Sequence, residues 1–282
     1  MTPELTTVLL TARTDGSAPD PTLPVLVVGP SLGTSVVSLW GPAVAALAPH
    51  FTVIGWELPG HGEGTPLPED SEGFTMEELA QAVVNTLEGQ KSKHGIAADG
   101  PAYYAGVSIA GAVALQIGLD NPSEFAGLAS ICSAAKIGTE EGWKERAELV
   151  AKAGTPTQVI GSAQRWFGPG FIEKNAFVST DLLHNLQDAD RFSYAFACGA
   201  LAGFDVRSRL GEISTPVLAL NGAEDQVCSA EDAEFTASNV AHGSAVMLPG
   251  VGHLSPAEDP AATAAALVDF FLSSSSNQSK EA

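Results

Sequence analysis

Short, nearly continuous apolar runs recur along this chain, and turn residues bound each of them. Such runs are typical of strands buried on both faces of a parallel sheet, because helices cover both of its sides. Helical stretches separate the runs, so the sequence predicts an α/β protein with a mostly parallel, doubly wound sheet. The predicted strands span residues 24–28, 52–56, 102–107, 127–132, 216–221 and 245–248. The predicted helices span residues 35–48, 75–88, 109–119, 229–241 and 256–272.

The alternation stops between residues 135 and 213, where several short helices rich in aromatic residues are predicted. We therefore expect an α/β core of residues 1–134 and 214–272, a helical cap inserted at 135–213, and a polar, disordered tail at 273–282. Charge supports this division. Residues 136–209 contain nine of the 13 Lys and Arg and nine of the 33 Asp and Glu, so the formal charge of −20 lies entirely outside them. A neutral cap is thus predicted on a strongly acidic body.

The charge also argues against two classes of partner. A protein with a net charge of −20 repels phosphate backbones and anionic lipid headgroups, so we expect neither nucleic acid nor a membrane surface as a partner. Three widely spaced cysteines, at 132, 198 and 228, are too few for a disulfide framework or a Cys-x-x-Cys metal site. The first residues lack the basic and apolar regions of a signal peptide, so a cytoplasmic location is expected.

A tight turn joins the strand at 102–107 to the next helix, and it reads GVSIAG from Gly106 to Gly111. Small residues around Ser108 are typical of a nucleophile elbow, in which a sharp strand-to-helix turn exposes a serine hydroxyl. The pattern G-x-S-x-G has Ala110 in place of its last glycine. We expect the turn to close around the extra methyl group with slightly looser packing. Because Gly-x-Ser is common by chance, the assignment depends on partners elsewhere.

Two later loops provide those partners. Asp225 follows the strand at 216–221, and His253 lies in a glycine-rich loop after the strand at 245–248. The order Ser, Asp, His is that of α/β-hydrolase triads, so Ser108 is the predicted nucleophile, His253 the base and Asp225 the acid that orients it. Glu224 is the rival acid, and a surface-loop histidine is the alternative interpretation of His253.

Acyl transfer also needs backbone N–H groups that stabilise an oxyanion. Ile109 follows the predicted nucleophile, and Leu32 lies in the loop after the first central strand, so these two residues are the predicted donors. A plain glycine turn is the alternative for the Leu32 loop. His61, in the loop after the strand at 52–56, is interpreted as structural.

With these motifs the chain resembles the 3-oxoadipate enol-lactonases of bacterial aromatic catabolism, a group of α/β-hydrolases. The likeness runs from about residue 25 to 271. Its most specific motifs are SLGT at 31–34, LPGHG at 58–62, RWFGP at 165–169, ALAGFD at 200–205 and HLS at 253–255. Ala110 and Glu57 depart from the glycine and aspartate that are usual in the family. The resemblance implies that water opens the ring of 3-oxoadipate enol-lactone, in the β-ketoadipate pathway, without a metal or organic cofactor.

Arg165 and Trp166 of the predicted cap are the expected substrate-binding residues. The implied substrate carries a carboxylate, which the planar guanidinium of arginine binds through two charge-assisted hydrogen bonds. The alternative is that Trp166 and Phe167 form the core of the cap and Arg165 is a solvated charge. In that case Lys136, Arg146 or Arg191 would be the candidates for binding the carboxylate. The expected partner is therefore a small lactone or ester with a carboxylate, and no oligomeric state is predicted. A general carboxylesterase, a C–C bond hydrolase and a non-catalytic ligand-binding protein are the alternative functions.

Overall fold

The computed structural model describes residues 1–11, 20–94 and 100–278. Within these residues the centre of the molecule is a seven-stranded sheet in the spatial order β1-β3-β2-β4-β5-β6-β7. Only β1 runs antiparallel to its neighbour; the five other strand pairs are parallel. The strands are β1 Thr7–Leu9, β2 Val25–Gly29, β3 Thr52–Trp56, β4 Ala102–Val107, β5 Gly127–Ile131, β6 Val217–Gly222 and β7 Gly243–Leu248.

Strands β2 to β6 are buried along their whole length. This burial is what their nearly continuous apolar sequences require, since helices cover both faces of the sheet. Their register aligns the carboxyl ends of neighbouring strands: Gly29 of β2 lies opposite Gly106 of β4, and Val107 opposite Ile131 of β5. The predicted α/β fold class is confirmed. Strand β1 was not predicted, because three half-buried residues are too few to show a periodicity.

Helices that flank the sheet follow the predicted pattern, with one exception at the end of the chain. They are α1 Val36–Leu47, α2 Met76–His94, α3 Ile109–Asp120, α9 Ala230–Asn239, α10 Ser255–Glu258 and α11 Pro260–Gln278. The helix expected at 256–272 is divided in two, because Pro260 lacks an N–H group and begins a new helix after Asp259. Helix α11 continues past residue 272 to Gln278, into the segment predicted as a disordered tail. Residues 279–282 of that segment lie outside the described residues.

Five helices lie between β5 and β6, where the sequence predicts the inserted cap. They are α4 Glu140–Ala153, α5 Val159–Trp166, α6 Phe171–Lys174, α7 Ala176–Asp188 and α8 Arg191–Gly203. The two ends of this helical insertion meet: the N–H of Val206 donates to the carbonyl of Ala135 at 2.9 Å, and Lys136 Nζ lies 3.4 Å from Asp205 Oδ2. The chain therefore leaves the core and returns to it at a single place.

The described helices include none with the length and apolar character needed to cross a membrane. The same residues contain no group of three or more His, Cys, Asp or Glu side chains placed to hold a metal ion. All three cysteines are buried free thiols.

Candidate active site

Ser108 occupies the sharp turn between β4 and α3. Its backbone has φ 57° and ψ −114°, a conformation that is strained for a residue with a side chain. Two hydrogen bonds hold it there: its N–H donates to the carbonyl of Ile131 at 2.9 Å, and Ser133 Oγ donates to its carbonyl at 2.7 Å. A Cβ atom on Gly106 would lie 2.1 Å from the carbonyl oxygen of Ala110, so only glycine fits there. The turn therefore has the geometry of a nucleophile elbow.

The alanine at position 110 fits this turn without displacing it. Its methyl group points at two glycines, since a Cβ atom on Gly29 or Gly106 would lie 2.6 or 2.7 Å from it. The extra methyl therefore fills space that these glycines leave.

Asp225 and His253 form a buried pair. Asp225 Oδ2 lies 2.8 Å from His253 Nδ1, and the exposed fractions of the two side chains are 0% and 2%. Asp225 Oδ1 accepts hydrogen bonds from the N–H groups of Val227 at 2.7 Å and Cys228 at 3.1 Å. Glu224, the rival acid, is exposed to solvent. Of the two acids, the structure thus brings Asp225 to the histidine.

Ser108 and His253 line one pocket together with Leu32, Arg165 and Trp166. Ile109, the remaining residue of the predicted site, directly follows Ser108 as the first residue of α3. The pocket lies between the carboxyl edge of the sheet and the helical insertion. All seven predicted site residues are therefore either in the pocket or in direct contact with a residue that lines it.

The N–H groups of Leu32 and Ile109 are the predicted oxyanion donors. An N–H in the first turn of a helix has no acceptor within that helix, which applies to Ile109. The Leu32 loop is held from both sides, because Thr34 Oγ1 donates to the carbonyl of Ser31 at 2.9 Å and accepts from the N–H of Ser31 at 3.1 Å. In the part of the chain that the structure describes, no protein acceptor binds the N–H of Leu32 or Ile109.

Two arginines line the pocket, of which only Arg165 was predicted to bind substrate. Both are half-buried, and no carboxylate of the described chain lies within 4 Å of either. Burial lowers the pKa of Arg165, and the nearby charge of Arg146 lowers it further. Arg146 also lies over the ring of Trp143, 4.6 Å from its centroid. The pocket wall therefore carries two positive charges that the protein itself does not neutralise.

The sequence offered Arg146 only as one of three substitutes for Arg165, because the sequence of α4 mixes it with many exposed charges. The available signal was its position three residues after Trp143, which places both side chains on one face of the helix. Trp166 was interpreted either as a substrate-binding residue or as part of the core of the cap, and the structure has features of both. It lines the pocket, and its ring contacts that of Phe167 edge-on, with 6.4 Å between the ring centroids.

The loop after β3 holds two buried titratable groups that support the site from outside the pocket. His61 stacks on Tyr194 at 5.9 Å, and burial lowers its pKa to about 4, so its ring is neutral at pH 7. Glu57 accepts hydrogen bonds from Ser35 Oγ at 2.6 Å and from the N–H of Val36 at 2.9 Å. Burial raises the pKa of Glu57 to about 7. Neither side chain faces the pocket, which agrees with the structural role expected of His61.

A family model described as "Alpha/beta hydrolase family" matches residues 25–266. The chain belongs to the α/β-hydrolase family. This hydrolase is 33% identical over 237 residues to 3-oxoadipate enol-lactonase 1 of Acinetobacter baylyi, with 84% of each chain covered. It is 32% identical to 3-oxoadipate enol-lactonase 2 of the same organism, with 85% of each covered. The crystal structure of the enol-lactonase from Burkholderia xenovorans LB400 superposes on it with a TM-score of 0.80, at 26% identity over 95% and 96% of the two chains. The predicted resemblance is confirmed.

Proposed function

We propose that this hydrolase opens the lactone ring of 3-oxoadipate enol-lactone to give 3-oxoadipate, in the β-ketoadipate pathway of aromatic catabolism. One observation carries the proposal: an elbow serine, a histidine paired with a buried carboxylate and two unneutralised arginines converge on a single pocket. The likeness to two enol-lactonases over most of the chain supports the same substrate class.

In the proposed reaction Ser108 Oγ attacks the lactone carbonyl while His253 Nε2 accepts the serine proton. Asp225 accepts the hydrogen bond of His253 Nδ1–H, which fixes the tautomer that leaves Nε2 free and stabilises the imidazolium. The N–H groups of Leu32 and Ile109 stabilise the oxyanion of the tetrahedral intermediate.

Collapse of this intermediate breaks the ring C–O bond and expels an enolate oxygen, a better leaving group than an alkoxide. The imidazolium of His253 returns its proton to that oxygen, and the resulting enol converts to the ketone. Water, deprotonated by His253, then attacks the acyl group on Ser108 and releases a second carboxylate.

The substrate carboxylate is assigned to Arg165, with Trp166 packed on the ring. An acidic body disfavours an anion over a long range, so a local cationic site must compensate. Arg165 suits this role because it is half-buried in the pocket wall and no carboxylate of the described chain lies within 4 Å of its guanidinium, whereas a solvated surface charge would lie outside the pocket. Arg146 lines the same wall and adds a second positive charge to the carboxylate subsite.

The test is the turnover of 3-oxoadipate enol-lactone by the purified protein, followed through loss of the ultraviolet absorbance of the lactone, beside a panel of uncharged aryl esters. We expect kcat/KM for the lactone to exceed that for the esters by about 100-fold or more, since truncating one partner of a desolvated charge pair costs about 2 to 5 kcal/mol. Comparable values would indicate a general carboxylesterase. A single slow turnover with retained product would indicate a ligand-binding protein, and Ser108→Ala is the control for adventitious hydrolysis.

A further inference from the structure

Glu258, five residues after His253, joins two parts of the molecule that are far apart in sequence. Its Oε1 accepts from the N–H groups of Gly252 at 3.1 Å and Leu254 at 3.2 Å, on either side of the histidine. Its Oε2 accepts from the N–H of Gly168 at 2.7 Å and from that of Gly252 at 3.2 Å. The contacts to Gly252 and Leu254 are local, but Gly168 belongs to the helical insertion. One carboxylate thus connects the loop around His253, here called the histidine loop, to the helical insertion, which carries Arg165 and Trp166 of the pocket wall.

The histidine loop and the insertion also touch directly. The N–H of His253 donates to the carbonyl of Trp166 at 2.8 Å. A Cβ atom on Gly168 would lie 2.4 Å from the carbonyl oxygen of Gly250, and one on Gly252 would lie 2.7 Å from both Gly168 N and the carbonyl oxygen of Trp166. The backbones approach so closely that His253 cannot shift without disturbing the segment that carries Trp166.

The connection is made at an energetic cost, which argues against an incidental contact. Burial raises the pKa of Glu258, and the three backbone N–H groups and the nearby imidazole of His253 oppose this rise. No Lys or Arg of the described chain lies within 4 Å of this carboxylate. Burying a carboxylate is unfavourable unless hydrogen bonds compensate for the lost water, and here the donors come from both segments.

We infer that Glu258 is a positioning residue, which holds the imidazole of His253 in a fixed relation to the wall formed by Arg165 and Trp166. The inference rests on the proposed roles of Ser108 and His253, but it does not depend on which ester or lactone is the substrate. A substrate that contacts this wall is thereby held at a fixed position relative to His253, the base that accepts the serine proton.

The variant Glu258→Gln tests this inference. Its amide nitrogen cannot accept a hydrogen bond, so two of the four hydrogen bonds are lost in either amide orientation, those to Oε2 or those to Oε1. The link between the two segments is thereby weakened while the side chain keeps its size. We expect kcat to fall about 10-fold to 100-fold with a KM within about threefold of wild type, the loss typical of a small misplacement of a catalytic group. The same loss should appear in the rate at which an uncharged organophosphonate modifies Ser108, since that reaction needs His253 but no bound carboxylate.

Asp259→Asn is the matched control. Among the described residues, the neighbouring Asp259 Oδ1 accepts from the N–H of Ala262, within α11, and has no hydrogen bond to the insertion. We expect its kcat and its phosphonylation rate to match wild type. If Glu258→Gln is folded by circular dichroism and its kcat is within twofold of wild type, the inference is overturned. A variant that melts earlier but reacts normally below its melting temperature overturns it too, because the role would then be structural only.

If Glu258→Gln does not fold, Glu258→Asp replaces it, since that variant keeps the charge but is one methylene too short to reach both segments. A loss confined to kcat supports positioning, and a normal kcat contradicts it. Failure of the proposed roles of Ser108 and His253 has a different signature: Ser108→Ala would then hydrolyse uncharged esters as fast as the wild type, whatever happens at position 258. Failure of the proposed substrate alone would appear as comparable kcat/KM for the lactone and the esters in the wild type.

Discussion

The substitution Asp225→Asn should move the imidazole proton of His253 from Nδ1 to Nε2. In the wild type, Oδ1 of the aspartate accepts from the N–H groups of Val227 and Cys228, and Oδ2 faces His253 Nδ1 at 2.8 Å. The amide oxygen of asparagine must take the Oδ1 position, because only an acceptor suits two backbone donors. The amide NH₂ then donates to Nδ1, so the imidazole proton moves to Nε2, the atom that must accept the proton of Ser108.

The opposite amide orientation would restore the active tautomer, but it is the costlier of the two. It would turn the NH₂ group against both backbone donors and leave each unsatisfied in a buried site. Each such group costs about 1 to 3 kcal/mol, so the active orientation is disfavoured by roughly 2 to 6 kcal/mol. We therefore expect kcat to fall about 10⁴-fold, equivalent to about 5.5 kcal/mol, with an unchanged fold.

The assay is the steady-state kcat for the enol-lactone and for an uncharged ester, measured on protein whose circular dichroism matches wild type. Glu224→Gln is the control, because that neighbouring carboxylate is exposed and should change kcat less than about twofold. If Asp225→Asn loses less than tenfold, or if Glu224→Gln shows the larger loss, the tautomer argument and the assignment of the acid are both refuted.

Ser108→Ala and His253→Ala should each lower kcat at least about 1000-fold, and the double variant should be hardly slower, because triad members act as a unit; losses that multiply would show separate steps. Arg165→Ala should cost about 2 to 5 kcal/mol in kcat/KM for the carboxylated lactone but little for an uncharged ester, and equal losses would make it structural. Arg146→Ala should show the same selectivity. Burial raises the pKa of Glu57 from 4.5 to about 7, so the folded state binds the proton of this carboxyl more tightly than the unfolded state. The resulting stabilisation of the fold is complete below about pH 4.5 and is lost as the pH rises through 7. Glu57→Gln should flatten urea-unfolding stability over this interval by roughly 3 kcal/mol, and an unchanged pH slope would show that the carboxyl titrates normally.

The sequence predicted the sheet well because burial on both faces leaves an unmistakable apolar pattern. The observed bounds of the strands at Thr52–Trp56 and Ala102–Val107 are those predicted. Ser108 was predicted as the nucleophile from its turn of small residues together with Asp225 and His253 in later loops, since Gly-x-Ser alone is common by chance. The predicted boundaries were least accurate in the final helices, where Pro260 divides one apolar pattern into two elements.

The support around the site could not be predicted, because it depends on contacts across long stretches of chain. In the sequence, nothing distinguishes Glu258 from an ordinary carboxylate at a helix end. Its hydrogen bond with Gly168 is visible only in the folded structure. Arg146 likewise became part of the pocket only when α4 packed over the sheet edge. The position after a strand fits Glu224 as well as Asp225, and the two backbone donors that hold Asp225 beside the histidine were visible only in the structure.

The helical insertion enters and leaves the core at one point, where Val206 and Ala135 are hydrogen-bonded to each other. We therefore expect that the segment between them can be exchanged as a single cassette without changing the order or register of the sheet. A grafted cassette from a relative would bring a new substrate wall while leaving Ser108 and its elbow in place. To work, it would also have to present a backbone N–H where Gly168 offers one, since that donor docks the cassette onto the histidine loop. We thus expect substrate specificity to be transferred with the insertion, provided that the grafted segment supplies a backbone N–H at the position of Gly168.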